Sequence, residues 1–160
     1  MAIITLNNNS LSSVTSLPAS ISTGKVLQVV ENSSTTEVNT SSTSLQSILT
    51  ASITPSSSSN KIFVTAGFAR IKCVPNTNSK AFSVLYRGDL SGTSLSNQIL
   101  GSNAAEQFQG ILKHVVLDSP STTSSQTYTL SFAKASSNTT SVTTDTHYYN
   151  IILMEIEGWL

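Results

Sequence analysis

A chain of 160 residues with zero net charge, 10% charged residues and 38% hydrophobic residues fits one domain with a sizeable core. Its eight Lys and Arg residues are scattered, which argues against nucleic acid as a partner, because phosphate binding needs clustered cations. No apolar run approaches the roughly 20 residues of a membrane span, so we expect no membrane insertion. Ser and Thr make up roughly a third of the chain, a composition that favours an extracellular β-protein.

Residues 1–24 predict an extended N-terminal arm. The segment is low in charge and rich in Ser, Asn and Thr, and its apolar residues are too irregularly spaced for a helix. Leu17-Pro18 and Gly24 mark its end. We expect the arm to become ordered by docking on a neighbour, and residues 25–160 to form a single β-sandwich domain.

Strand signals follow one another at short intervals from residue 25 onward, and no stretch shows a convincing helical period. The predicted strands are 25–30, 45–53, 61–71, 81–87, 98–100, 107–117, 127–133 and 146–156, with a ragged edge strand at 35–38. Short strands separated by turn residues predict an all-β protein. We therefore expect an antiparallel β-sandwich that is jelly-roll-like, with other Greek-key folds as the alternative.

The stretch 51–64 is predicted to form the central hairpin of that domain. Ile53 ends an apolar run, Pro55 cannot donate to a sheet, and four serines with Asn60 supply turn residues. In the strand that follows, from Ile62 to Ile71, the even-numbered residues share one face and the odd-numbered residues the other. Both faces contain apolar residues, which indicates a central strand with partial cover on its outer face.

Cys73 is the single cysteine, so no intrachain disulfide can form. Because apolar residues flank it, we expect it to be a small buried hydrophobe.

Several motifs occur in a fixed order along the chain: Gly24–Val30, Ser52–Ser56 with Ser59–Ile62, Leu85–Gly88, Leu117–Pro120 with Thr127-Tyr128, and Met154–Ile156. Together they resemble a group of tailed-bacteriophage virion proteins, often from aquatic phages, of the tail-fibre, receptor-binding or head-decoration type. The opening Ile4–Asn7 followed by Leu17-Pro18 also looks like the amino-terminal lead of such proteins.

The resemblance covers about residues 24–156 and implies a non-enzymatic structural component on the exterior of the phage particle. It implies other virion proteins of the capsid or tail as partners, and homotrimers are common in that setting. Many fibre proteins contain a long stalk, and this chain has none. That departure fits a small capsid decoration protein or a short fibre appendage.

Candidate chemistry in the sequence is sparse. Glu155 and Glu157, two apart on a predicted strand, would lie about 6 to 7 Å apart, as in glycosidase carboxylate pairs. We interpret them instead as an exposed edge of the last strand. Asp145 and His147 with a serine could be drawn as a triad, but no nucleophile-elbow motif supports it. We expect no catalytic residues, no cofactor and no metal site.

The aromatic residues Tyr148, Tyr149 and Trp159 are the candidate contact residues. They could stack on a sugar ring of a host surface glycan, as in a receptor-recognition module at a fibre tip. The alternative is packing in the core or at a trimer interface, which we favour. His147 is expected to lie at the surface or at a subunit contact, and so is His114.

Overall fold

The computed structural model describes residues 25–73, 80–101, 108–135, 142–144 and 146–158, and all regular elements within them are β-strands. None of these residues belongs to a helix long and apolar enough to cross a membrane. The strands are β1 Val26–Ser34, β2 Asn39–Thr40, β3 Gln46–Ile53, β4 Lys61–Cys73, β5 Lys80–Arg87, β6 Thr93–Gly101, β7 Phe108–Asp118, β8 Gln126–Lys134, β9 Val142–Thr143 and β10 Tyr149–Ile156. The predicted arm 1–24, Asp145 and Trp159 lie outside the described residues.

Two antiparallel sheets pack against each other. The front sheet has the order β1-β10-β4-β7, and the short β9 and β2 extend it from the end of β4. The back sheet has the order β3-β8-β5-β6. The long strands pair in a nested way, β5 with β6, β4 with β7, β3 with β8 and β1 with β10. Nested pairing across two sheets is a jelly roll, which confirms the predicted fold class.

The segment 54–60 is not a hairpin turn, contrary to the sequence prediction. β3 belongs to the back sheet and β4 to the front sheet, so the segment crosses from one sheet to the other. The central hairpin is β5–β6, closed by the loop 88–92. Gly88 begins that loop with a φ of 95°, and Gly92 lies so close to the Arg87 carbonyl that a Cβ would be 2.2 Å from its oxygen.

β4 changes the face that it buries part of the way along. Ile62, Val64 and Phe68 share one face, as predicted from their even numbers, and that face points between the sheets. A bulge against β7 between Phe68 and Ile71 then shifts the register, so that Ile71 and Cys73 are also fully buried. The prediction that Ile71 lies on the face opposite Ile62 was therefore wrong, because the bulge exchanges the two faces.

Cys73 is a buried free thiol, as predicted. Burial raises its pKa to about 11, because the thiolate loses hydration that a backbone contact at Ala81 only partly replaces.

The last strand supplies the clearest alternation in the described chain. Tyr149, Ile151, Leu153 and Glu155 point inward and their neighbours outward. The Phe68 ring packs between those of Phe132 and Tyr149, with centroid distances of 6.0 and 6.1 Å. Each fully buried large apolar side chain contributes about 1.5–3 kcal/mol, so this layer between the sheets holds the fold together.

Several strands differ from their predicted extents: β1 ends at Ser34 rather than at residue 30, and β10 begins at Tyr149 rather than at residue 146. β6 runs over nine residues, whereas only 98–100 were predicted, because Ser94, Ser96 and Asn97 interrupt the apolar pattern in the rest of the strand. The predicted edge strand at 35–38 lies instead at Asn39–Thr40, where it pairs with β9.

Candidate functional site

The outer surface of the front sheet is apolar. In one row across four strands, Val29 lies opposite Met154, Met154 opposite Phe63, and Phe63 opposite Leu117. The solvent-facing side of an antiparallel sheet is ordinarily polar, since only one face covers the core. We call this surface the front face; its outward residues are Val29, Glu31, Ser33, Phe63, Thr65, Gly67, Ile111, Lys113, Val115, Leu117, Asn150, Ile152, Met154 and Ile156.

The apolar side chains at the two edges of the front face are well exposed. On β7, Ile111 is 67% exposed, Val115 60% and Leu117 53%, and on β1 Val29 is 57% exposed. Contiguous exposed apolar residues mark interaction surfaces, whereas isolated ones do not. The register places Leu117 and Val29 at the two ends of one row and Val115 in the next row, so these three belong to one surface, whereas Lys113 separates Ile111 from it.

Charges of opposite sign lie at opposite edges of the front face. Glu31 is on the edge strand β1, where the Tyr148 hydroxyl and Asn150 Nδ2 donate hydrogen bonds to its Oε1. Lys113 is on the edge strand β7, opposite Gly67 of β4, and is exposed. The face therefore has one anionic edge and one cationic edge.

The candidate aromatic residues separate in the structure. Tyr148 is 42% exposed and lies at the β1 edge of the front face. Tyr149 is buried in the core, and its hydroxyl donates to the Thr36 carbonyl at 3.0 Å. Tyr149 therefore cannot stack on a glycan, which corrects the glycan part of the predicted contact set, and it packs in the core as in the alternative favoured from the sequence. Successive residues of a strand point to opposite faces, so the pair could not form one platform.

Glu155 is fully buried, so its prediction as an exposed edge residue was wrong. β10 lies between β1 and β4, and its inward face points toward the crossing 54–60. Oε1 accepts hydrogen bonds from Asn60 Nδ2 at 2.6 Å, the Ser56 amide at 2.7 Å and the Ser56 hydroxyl at 2.8 Å. Oε2 accepts one from Gln28 Nε2 at 2.6 Å.

Burial opposes ionisation of Glu155, but the hydrogen bonds outweigh it and hold the pKa of this carboxyl below its ordinary value. A glycosidase general acid needs the opposite shift. Glu157 lies beyond the strand, where its amide donates to the Lys25 carbonyl. The cluster thus fixes the crossing 54–60 on the end of β10, and Gly158 closes it by donating to Asn60 Oδ1 at 3.0 Å.

His114 is buried between the sheets, whereas the sequence prediction placed it at the surface. Its Nε2 is 2.9 Å from Ser83 Oγ and its Nδ1 is 3.0 Å from Ser96 Oγ. The Ser83 hydroxyl donates to the Ser131 carbonyl, so it must accept from His114 Nε2–H. The neutral ring then accepts from Ser96 through Nδ1. Burial lowers the pKa of His114 to about 4, because the charged ring would lose hydration.

Asp118 joins the two sheets at the end of β7. Its carboxylate accepts hydrogen bonds from Arg87 Nη1 at 2.9 and 3.0 Å, and from the Tyr128 hydroxyl at 2.7 Å. Both partners belong to the back sheet. Burial raises the pKa of Tyr128 far above its ordinary value, and the neighbouring carboxylate adds to that effect. The arrangement stabilises the sandwich and leaves no free nucleophile in this cluster.

An open cavity of about 350 Å³ lies on the outer side of the back sheet. The loop 88–92 forms one wall and strands β3 and β8 form the other. Its lining residues are Ser47, Thr50, Gly88, Asp89, Leu90, Thr127 and Thr129. Asp89 Oδ1 accepts from the Ser91 amide and hydroxyl, and these bonds hold the pKa of Asp89 below its ordinary value.

Within the described part of the chain, no three His, Cys, Asp or Glu side chains lie close enough together to hold a metal ion. His147 is half-buried. The triad drawn from Asp145 and His147 includes a residue outside the described ranges.

No protein-family model matches the chain, and no curated protein matches it. Among solved structures, it is similar to the VP2 subviral particle of infectious bursal disease virus, with a TM-score of 0.51, 10% identity, and coverage of 82% of this chain and 33% of that one. The T13 viral particle of the same virus gives a TM-score of 0.45 at 5% identity, covering 82% and 38%. Bacillus endospore appendages, a family of disulfide-linked pili, give 0.32 at 11% identity, covering 79% and 86%.

This chain spans about a third of the length of the viral chains. At 10% identity the likeness to the subviral particle bears on the fold alone. The described chain has a β fold like that of a viral capsid protein.

The front face was only partly visible in the sequence. The outward apolar residues of the strand 62–71 indicated partial cover, and Ile111, Val115 and Leu117 share one parity. Their alignment into rows with Val29 and Met154 depends on strand order, which the sequence does not specify. Glu31 and Lys113 were not singled out, because only the register places them on one face.

Proposed function

We propose that this chain is a non-enzymatic structural component of the exterior of a bacteriophage virion, either a capsid decoration protein or a short fibre appendage. It assembles as an oligomer, a homotrimer in the arrangement that we favour, through its sandwich faces. Residues 1–24 anchor it on other virion proteins of the capsid or tail.

The apolar front face is the observation that carries the proposal. A monomer that exposed Val115, Leu117 and Val29 in one continuous surface would be prone to association. Burying that surface between subunits removes it from water and gains the free energy that drives assembly. The buried polar clusters, by contrast, are satisfied within the fold and fix the two sheets to each other.

Two further points support a virion role. The fold is shared with a protein of a viral particle, and the ordered motifs resemble tailed-phage virion proteins. The zero net charge also suits a protein that packs against further copies of itself, since net like-charge repulsion between copies is small.

Immunogold labelling of intact particles with antibody against this chain tests the proposal. Gold over the heads is expected for a decoration protein, and gold at the tail for a fibre appendage. Particles without label, from a phage whose infected cells contain the protein, would contradict a place on the virion exterior.

The alternative is a carbohydrate-binding module that recognises host surface glycans at a fibre tip. The cavity on the back sheet favours it, because a space of about 350 Å³ has a mostly apolar lining with Ser47, Thr50, Thr127 and Asp89 around it. Such a volume is within the usual range of small-molecule sites. Binding on a glycan array that is lost in Asp89→Asn would support this function, and an array without signal would eliminate it.

A further inference from the structure

We propose that the front face is the contact between copies of this chain, arranged head to tail so that the β7 edge of one copy meets the β1 edge of the next. The inference rests on the oligomeric assembly in the proposed function and adds the interface and its polarity. The occupant of the face is a second copy, because the charges at its two edges complement each other.

The apolar rows define the extent of the contact. Val29, Met154, Phe63 and Leu117 run across all four long strands, and the next row contains Ile152 and Val115. The most exposed residues lie on the two edge strands rather than at the centre. A partner that covered only the middle of the sheet would leave these edge residues in water.

The charge pattern selects a second copy. Glu31 is held at the β1 edge by Tyr148 and Asn150, which leaves its negative charge uncompensated by these neutral donors. Lys113 lies at the β7 edge, two residues along the strand from Val115, and Val115 shares a row with Glu31. Within one copy three strand spacings, about 14 Å, separate β1 from β7, which is too far for an ion pair.

Joining the β7 edge of one copy to the β1 edge of the next therefore brings Lys113 to Glu31 and places Tyr148 at the rim of the contact. The β7 edge and the β1 edge are different surfaces, so the contact is heterologous. Such contacts close into a ring when the rotation that relates neighbouring copies divides a full turn evenly. The apolar rows of the copies then face the ring axis. Because a two-fold pair has an isologous interface, the smallest ring with a heterologous contact is a trimer.

Sedimentation velocity of the full-length chain over a range of concentrations tests the inference. Val115→Glu and Leu117→Glu should each raise the dissociation constant at least about tenfold, since a charge in a buried apolar contact costs more than one factor of ten. Ile99→Glu is the matched control, because Ile99 is 62% exposed but lies on the back sheet. Circular dichroism verifies that each variant is folded.

Exchange of the edge charges supplies a readout that a folding defect does not reproduce. Glu31→Lys and Lys113→Glu should each weaken assembly, and the double variant with both changes should restore it. Recovery in the double variant requires the two residues to meet across copies, since they are too far apart within one.

Three outcomes would overturn the inference: a wild-type chain that is monomeric throughout, an oligomer unaffected by Val115→Glu and Leu117→Glu, or a double charge variant no better than the singles. The second outcome is also expected if residues 1–24 cover the face. Gold-labelled particles together with a monomeric chain would refute this interface and leave the virion role standing. Assembly through the front face together with unlabelled particles would refute the virion role and leave this interface standing.

Discussion

The Glu155 carboxylate lies 2.6 Å from Asn60 Nδ2, so the last strand of the jelly roll is tied to the crossing that leads from the back sheet into β4. Ser56 and Gln28 bind the same carboxylate, and Gln28 Nε2 also donates to the Thr54 carbonyl at 2.7 Å. A serine-rich segment with few apolar residues thereby keeps a defined path. Buried acceptors with several donors rigidify the structure around them.

Glu155→Gln is predicted to destabilise the fold by about 1–3 kcal/mol, because the new amide group turns a donor toward Gln28 or toward Ser56 and Asn60. Urea unfolding measures the loss. Glu157→Gln is the control and should change the unfolding free energy by less than about 0.5 kcal/mol. Equal losses in both variants would show that the Glu155 cluster does not organise the crossing.

The same cluster predicts a loss of stability in acid. The pKa of Glu155 is lowered in the folded state, so its contribution is present above the ordinary value of 4.5 and is lost as the pH falls through the folded pKa. Unfolding free energies measured from pH 5 downward should fall less steeply in Glu155→Gln than in the wild type. A parallel decline of the two proteins would contradict the assignment.

His114 predicts that the stability of the fold also depends on pH in a second, higher range. Its folded pKa of about 4 is below the ordinary 6.5, so the neutral ring stabilises the fold above 6.5 and that stability is lost as the pH falls toward 4. The maximum loss is about 3 kcal/mol. His114→Gln should flatten the curve of unfolding free energy against pH between these values. Lys113→Gln is the control and should keep the wild-type slope, because the Lys113 side chain points to solvent. An unchanged slope in His114→Gln would contradict the buried neutral ring.

Tyr128→Phe is predicted to cost about 1.5–3 kcal/mol, because its hydroxyl donates to the charged Asp118 inside the sandwich. Thermal unfolding gives the difference. Tyr148→Phe serves as the control for fold stability, since the Tyr148 hydroxyl is at the exposed rim and its loss should cost less than about 1 kcal/mol. A smaller loss at Tyr128 than at Tyr148 would refute the cross-sheet role of Asp118.

Cys73 is predicted to be unreactive in the folded protein. With a pKa of about 11, only about one thiol in a thousand is ionised at pH 8, and the side chain is fully buried. Its reaction with a disulfide reagent should therefore be limited by unfolding. An engineered exposed thiol, Ser94→Cys, should react at once. Rapid modification of Cys73 without denaturant would show that this end of β4 opens.

The sequence predicted the parts of the fold that depend on local pattern. Alternation along the chain predicted β8 and β10 as strands, and Tyr128, Leu130 and Phe132 share the inward face of β8. The parity of Ile71 could not be predicted, because a bulge depends on the partner strand. Thr129 and Ser131 are buried on the other side of β8. Their hydroxyls donate hydrogen bonds to the carbonyls of Gly88 and Val84.

The candidate site was harder to predict for the same reason. Glu155 resembles a surface residue in sequence, because a charged residue near the end of a strand is ordinarily solvated. Its burial depends on β1 and β4 flanking β10, and its donors come from residues up to 127 positions away in the chain. Long-range pairing of this kind leaves no local signal in a single sequence.

Mass spectrometry of density-gradient-purified phage particles shows whether this chain is part of the virion. A structural virion component should band with the major virion proteins in a fixed ratio that survives repeated gradients. A chain that stays in the soluble fraction of the lysate, while the particles band without it, would contradict its proposed role as a structural component of the virion.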